Sequence, residues 1–252
     1  MKIMPPLPAR LSSITFALLL GISLHCHATS DEQSPAGSES ASGDAPTTTA
    51  LLKYMPPKRG APATRIGGGT RSSSHALLTL TALAPNHTGF TAKDKPTLYW
   101  HLSMSINIPV EITLTVEEAV EPLLELKLEE PIEKGYHALD LTDHDISLEP
   151  GIAYQWFVAV VRNPVERSKD ILAGGLIERV DMSQAVKSKL DRSDPFGWPS
   201  IYAESGLWYD AIEALTMLID EDSGDYRLLE QRASILEQVG LVEAAAYDRG
   251  LN

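Results

Sequence analysis

Leu148-Glu149-Pro150-Gly151-Ile152-Ala153-Tyr154 decides how the rest of the chain is read. Pro150-Gly151 turns the backbone sharply, and a tyrosine three residues beyond the glycine can bond its hydroxyl back to the backbone just upstream. Such a corner belongs at the edge of a β-sandwich. Upstream and downstream of it, as far as Val180, short apolar runs alternate at period two. After Val180 the spacing becomes helical.

Seven strands are predicted, over residues 76–84, 97–104, 110–116, 123–129, 137–141, 153–162 and 172–180. In the third, Val110, Ile112, Leu114 and Val116 share one face, opposite Glu111, Thr113 and Thr115. Leu98, Trp100 and Leu102 oppose Tyr99, His101 and Ser103 in the same way, giving one buried and one wet face. Tyr154, Trp156, Val158 and Val160 also share a face. Two such sheets would close a core around Trp100 and Trp156. The expected fold is a seven-stranded antiparallel β-sandwich followed by a C-terminal α-helical hairpin. With its tyrosine corner and core tryptophans, the segment 76–180 resembles fibronectin type III and related immunoglobulin-like domains, a resemblance that implies fold and not function.

Beyond Val180 a helical pattern starts near Met182 and is broken at Pro195 and Pro199. Gly206 and Gly240, Leu207 and Leu241, and Ala211 and Ala245 are each 34 residues apart, the tetratricopeptide period. Helices over 207–219 and 228–238 are expected to pair, with Trp208, Ile212, Leu215 and Leu218 facing Leu229, Ile235 and Leu236. So short an array buries little alone, and it is expected to pack on the sandwich or on a partner.

The N-terminus reads as an export signal over residues 1–28, with Lys2 and Arg10, an apolar run from Ile14 to Leu24, and cleavage near Ala28. The apolar run is shorter than the roughly 20 residues a membrane span needs. Lipidation of Cys26 is the rival reading, although His25 stands where a small residue is wanted. Cys26 is the only cysteine, which suits a bacterial periplasm better than a eukaryotic secretory route. Residues 29–50 are rich in Ser, Ala, Thr and Pro and read as a disordered linker. Residues 51–75 read as an extended lead-in rich in Pro and Gly, with Lys53, Lys58, Arg59, Arg65 and Arg71 and no acid.

With 34 acidic against 21 basic residues, the formal net charge is −13. Such a surface repels phosphate backbones and anionic headgroups, so nucleic acid is not an expected partner. Arg65-Ile66-Gly67-Gly68-Gly69-Thr70-Arg71, Pro96-Thr97-Leu98-Tyr99-Trp100, Tyr154-Gln155-Trp156-Phe157, Asn163-Pro164-x-x-Arg167-Ser168-x-Asp170 and Gly206-x-Trp208-Tyr209-Asp210-Ala211 occur in one order. In that order they resemble bacterial domain-of-unknown-function family 928, from about Tyr54 to Leu241. Arg162 and Leu176 depart from the cysteine and tryptophan that the family tends to carry there. The resemblance implies export, the sandwich and the helical tail, and brings no mechanism.

No motif assembles a reaction. The triple glycine lacks the G-x-x-x-x-G-K-[ST] pattern of a phosphate loop. Asp140, Asp143, His144, Asp145 and Glu149 miss the spacing of a calcium loop. Ser72, Ser73, Ser74 and His75 are sequence neighbours, which rarely supply triad geometry. No cofactor, metal or catalytic residue is therefore expected. The candidate binding residues are Arg167 and Asp170, in a loop that a rigid scaffold would present, and Trp208 and Tyr209, aromatic types that anchor interfaces. Their alternatives are a turn-holding ion pair and core packing.

The leading functional expectation is an exported non-catalytic module that binds a periplasmic or envelope protein. A carbohydrate- or envelope-polymer-binding sandwich using exposed Tyr99 and Phe157 is the alternative. A hydrolase built around His75 or His101 is the third.

Overall fold

The computed structural model describes residues 51–58, 66–69 and 78–251, all within one compact unit, Thr48–Asn252. The export signal, the linker, Cys26, Arg71 and the Ser72 to His75 cluster lie outside the described residues. Each of the seven predicted runs overlaps a strand. These are β2 (Thr79–Ala82), β4 (Thr97–Leu102), β5 (Val110–Val116), β6 (Leu124–Leu128), β7 (Gly135–Asp140), β8 (Ala153–Val160) and β9 (Ile171–Arg179), and two short strands join them, β1 (Gly68–Gly69) and β3 (Gly89–Thr91).

They form two sheets, ordered β1-β2-β4-β7 and β3-β9-β8-β5-β6. The expectation of seven wholly antiparallel strands is thereby corrected. β3 runs parallel to β9, with Gly89 opposite Ile177 and Thr91 opposite Arg179. Three residues are too few to show alternation, and their partner lies far along the chain.

The corner forms as its residues dictate. The Glu149 amide donates to the Tyr154 hydroxyl at 2.9 Å, and Gly151 takes φ +74°, a region open to glycine at little cost. Arg179 Nη1 donates to the Leu148 carbonyl at 2.9 Å, and the Gly151 amide to the Arg179 carbonyl at 2.8 Å. The corner is thus fastened to the end of β9.

β5 shows the expected alternation, with Val110, Ile112 and Leu114 buried and Glu111, Thr113 and Thr115 half-buried. β4 does not, because all six of its residues are buried. The wet face expected for Tyr99 and His101 is therefore corrected: it lies under the helices. Thr97 Oγ1 donates to Glu213 at 3.3 Å, and the His101 ring packs 4.7 Å from that of Tyr247. On the opposite face Leu98, Trp100 and Leu102 are at most 1% exposed, in the same apolar cluster as Ile112, Leu114, Trp156 and Val158. Burying each such side chain contributes about 1.5–3 kcal/mol.

Five α-helices follow: α1 (Gln184–Leu190), α2 (Trp198–Glu204), α3 (Trp208–Glu221), α4 (Tyr226–Gln238) and α5 (Val242–Asp248). Ser183 caps α1 by accepting from the Val186 amide, and Asp225 caps α4 by accepting from the Arg227 amide. The single hairpin expected here is corrected to two helix–glycine–helix units. The 34-residue offset marks their turns: Gly206 between α2 and α3 has φ +77°, and Gly240 between α4 and α5 has φ +75°. Leu207 and Leu241 are buried after each turn, and Ala211 and Ala245 are fully buried one helical turn later. α3 and α4 do meet, as the apolar spacing implies, but each packs more extensively on its partner across the glycine.

The helices are fastened to the sheets by their first aromatic pair. Trp208 Nε1 donates to the Leu83 carbonyl at 2.8 Å. The Tyr209 hydroxyl accepts from Trp156 Nε1 at 3.0 Å and donates to the Leu176 carbonyl at 3.1 Å. Farther along, a buried Arg232–Asp248 pair at 2.6 and 2.9 Å joins α4 to α5, and the Arg232 guanidinium lies 4.0 Å over the Tyr136 ring of β7.

The lead-in also has a fixed place. The Tyr54 amide donates to Gln238 Oε1 at 2.9 Å, Gln238 Nε2 to the Leu52 carbonyl at 2.7 Å, and the Met55 amide to the Ala203 carbonyl at 3.0 Å. The Tyr54 ring meets Trp208 edge-on at 4.9 Å. Residues 52–55 thus form a strap across both helical units.

Candidate functional site

Between the Pro195–Gly197 turn, α2 and α3 lies a cavity of about 310 Å³. Pro195 opens a tight turn and Pro199 sits in the first turn of α2, and between them Phe196 is 65% and Trp198 38% exposed. Across from them α3 presents Met217, 55% exposed. Trp198, Tyr202, Ala214, Met217 and Leu218 supply apolar lining, and Asp210, Glu221 and Lys93 supply its charges. Exposed apolar surface rimmed by charge is the usual mark of a contact region.

Asp210 is the buried member of the lining, 1% exposed. Its Oδ2 accepts the Ala92 amide at 3.0 Å, which ties the β3–β4 connection to the first turn of α3. Its Oδ1 is inaccessible to solvent and has no hydrogen-bond donor. Burial raises the carboxyl to a pKa of about 6, opposed by the Ala92 amide, the Thr91 hydroxyl and the Lys93 ammonium. Lys93 Nζ pairs with Glu213 Oε1 at 2.7 Å. Two carboxylates, Asp210 and Glu213, therefore share one ammonium.

A second buried polar group lies under α5. His101 is fully buried with neither ring nitrogen hydrogen-bonded, held between Tyr136 and Tyr247 at 5.1 and 4.7 Å. Burial, then the neighbouring His137 and Arg232, lowers its pKa to about 4. It is neutral at physiological pH and touches no cavity described here.

The sequence profile of the Domain of Unknown Function DUF928 matches residues 66–248. The chain belongs to that family. Comparison with curated proteins finds no match. Among solved structures, a multi-domain immunophilin from Arabidopsis thaliana is 9% identical over 77% of this chain and 99% of that one, with a TM-score of 0.16. A likeness that low carries no argument.

Within the DUF928 domain the residues singled out from sequence fall in three places. Arg167 and Asp170 are brought together in the β8–β9 loop. Arg167 Nε donates to Asp170 Oδ2 at 2.7 Å and Nη2 to Glu111 on β5 at 2.6 Å. That geometry is the turn-holding alternative: both nitrogens are spent on the protein's own acids. Lys169 pairs with Glu166 in the same loop. Trp208 and Tyr209 are 0% and 1% exposed, so as anchors for a partner they are corrected to core residues. Helix-spaced aromatics bury their rings and need a partner for each polar tip, and both tips are satisfied within the domain.

Of the aromatics offered for sugar stacking, Tyr99 is buried and Phe157 half-buried. Two of the exposed aromatics lie on Pro195-Phe196-Gly197-Trp198-Pro199, and Tyr226 at the start of α4 is exposed as well. Two aromatics set between prolines, in a turn and at a helix start, were the available signal. Asp210 gave none, since an acid in the first turn of a helix is an ordinary occurrence.

Proposed function

We propose that the protein is an exported, non-catalytic interaction module that binds a periplasmic or cell-envelope protein. In this reading the two sheets are an immunoglobulin-like sandwich and the two helix–glycine–helix units are tetratricopeptide-like pairs docked on it. The observation that carries the reading is the pair Trp198 and Met217, large apolar side chains exposed on the cavity lining with charged groups beside them, and the exposed Phe196 in the adjoining turn. The strap of residues 52–55 covers the helical units at Ala203, Trp208 and Gln238, none of which lines the cavity. The acidic balance of the chain speaks against nucleic acid. No described helix is long and apolar enough to cross a membrane.

Photo-crosslinking in intact cells tests the reading, with a photoreactive amino acid at position 196, 198 or 217 and a control at Glu125 on β6. The expected result is one discrete crosslinked envelope protein from the first three positions, lost on Met217→Lys, and none from Glu125. Equal labelling from all four positions would overturn it. Fractionation and mass determination of the mature N-terminus check the export step, with cleavage near Ala28 expected.

A further inference from the structure

β6 ends its sheet with a free edge. The order β3-β9-β8-β5-β6 leaves one side of Leu124–Leu128 unpaired, and among the described residues its backbone bonds run to β5 alone. Alternate amides and carbonyls of such a strand point outward, a template for another strand. Folded proteins usually blunt an edge with a proline, a bulge or a charge. β6 contains no proline and pairs with β5 residue for residue from Leu124 to Leu128, so only its charges could turn a second strand away.

Those charges admit one particular strand. Leu124, Leu126 and Leu128 are half-buried against the apolar core, while Glu125 and Lys127 alternate with them and are exposed. In Leu124-Glu125-Leu126-Lys127-Leu128, a two-fold axis at Leu126 sets Leu124 opposite Leu128 and Glu125 opposite Lys127. A second copy laid antiparallel on the edge therefore meets leucine with leucine on the core side and acid with base, twice, on the other. An axis at Glu125 or at Lys127 would oppose like charges, and a one-residue slip would send the leucines to the wrong face. Within the chain neither charge is spent. Across β5 Glu125 faces Thr113, and Lys127 faces Glu111, whose carboxylate is engaged by Arg167 at 2.6 Å.

We propose that β6 is a contact between two copies of this chain, which pair their β6 edges antiparallel about Leu126 and join two five-stranded sheets into one of ten strands. The leucines of each copy cover the exposed parts of Leu124, Leu126 and Leu128 in the other. The contact shares no residue with the lining of the α2–α3 cavity, so it stands or falls apart from what that cavity binds.

Sedimentation of the mature full-length chain across a micromolar concentration series tests it. An edge of this length is a small contact, and the wild type should pass from monomer to dimer within the series. Lys127→Glu and Glu125→Lys each oppose like charges at both sites, and each should weaken the dimer by about tenfold or more. Mixing these two variants should restore association as a heterodimer, and carrying both substitutions in one chain should restore the homodimer. Amide exchange on the wild type needs no variant: the outward amides of β6 should slow as concentration rises. A photoreactive amino acid at position 125 should capture only a second copy, told by its doubled mass from an envelope partner. A wild type that stays monomeric, a dimer indifferent to both single substitutions, no recovery in the mixture, or β6 exchange independent of concentration would overturn the assignment. Crosslinking from positions 198 and 217 is read separately and reports on the other surface.

Discussion

The indole of Trp156, in the middle of β8, donates its only polar hydrogen to the hydroxyl of Tyr209, in the first turn of α3, at 3.0 Å. Both side chains are buried. The hydroxyl passes its own hydrogen to the Leu176 carbonyl on β9, so one oxygen joins two strands to a helix. Tyr209→Phe keeps the ring and strands the indole. An unsatisfied buried donor costs about 1–3 kcal/mol, and denaturant unfolding should show a loss of that size with little change in slope.

The Arg232–Asp248 pair is buried on both sides, at 5% and 1% side-chain exposure. Thr216 adds a third contact, with Arg232 Nη1 at 3.2 Å from its hydroxyl. Removing one partner of such a pair leaves a charge that water cannot reach. Arg232→Ala should therefore destabilise the chain by about 3–5 kcal/mol. Replacing both residues with apolar ones of similar volume should cost much less, and unfolding of the double variant distinguishes the two effects.

Gly206 and Gly240 share a backbone conformation but not a neighbourhood. A side chain in the left-handed region costs roughly 1–2 kcal/mol. At Gly240 an added methyl meets nothing within 4 Å, whereas at Gly206 it would sit 3.0 Å from the Met55 carbonyl oxygen. Gly240→Ala should show the conformational cost alone. Gly206→Ala should exceed it and should also loosen the strap, which amide exchange at Met55 would report.

His101 and Asp210 work against each other in acid. His101 falls from 6.5 to about 4 on folding, so the folded state binds fewer protons between those values, and the stability it contributes is present above pH 6.5 and lost as pH falls to 4. Asp210 rises from 3.8 to about 6; its contribution is full below pH 3.8 and is lost as pH rises through 6. Each amounts to about 3 kcal/mol. Against wild type, His101→Phe should lose relative stability as pH rises from 4 to 6.5, and Asp210→Asn should gain it from 4 to 6. Unfolding free energies measured across that range give both difference curves. The groups facing these two, His137, Arg232, Tyr136 and Tyr247 around His101, and Lys93 and Glu213 beside Asp210, stay in both variants.

Local chemistry was legible in the sequence. Alternation placed the seven longer strands within a few residues, Pro150-Gly151 and Tyr154 announced their corner, and the 34-residue offset showed a helical repeat, though not that each glycine turns one helix into the next. What depended on distant neighbours was not legible. Thr97, Tyr99 and His101 have the polarity of a solvated face, and only the helices docked above them make that face buried. β3 lacks the length to show a period. Asp210 looks like any acid near a helix start until Ala92 and the first turn of α3 close around it. Arg167 was seen together with Asp170, but its second partner, Glu111, comes from another strand.

Gln238 holds Tyr54 and Leu52 at sequence separations of 184 and 186 residues. A ribosome makes the first of these segments long before the last, so residues 52–55 cannot take their final place until α4 has been synthesised. Contacts of that span form slowly, because a large loop must close before they reward it. The strap therefore closes only after the helical units it spans have been made, and its seating reports that both ends of the domain are in place.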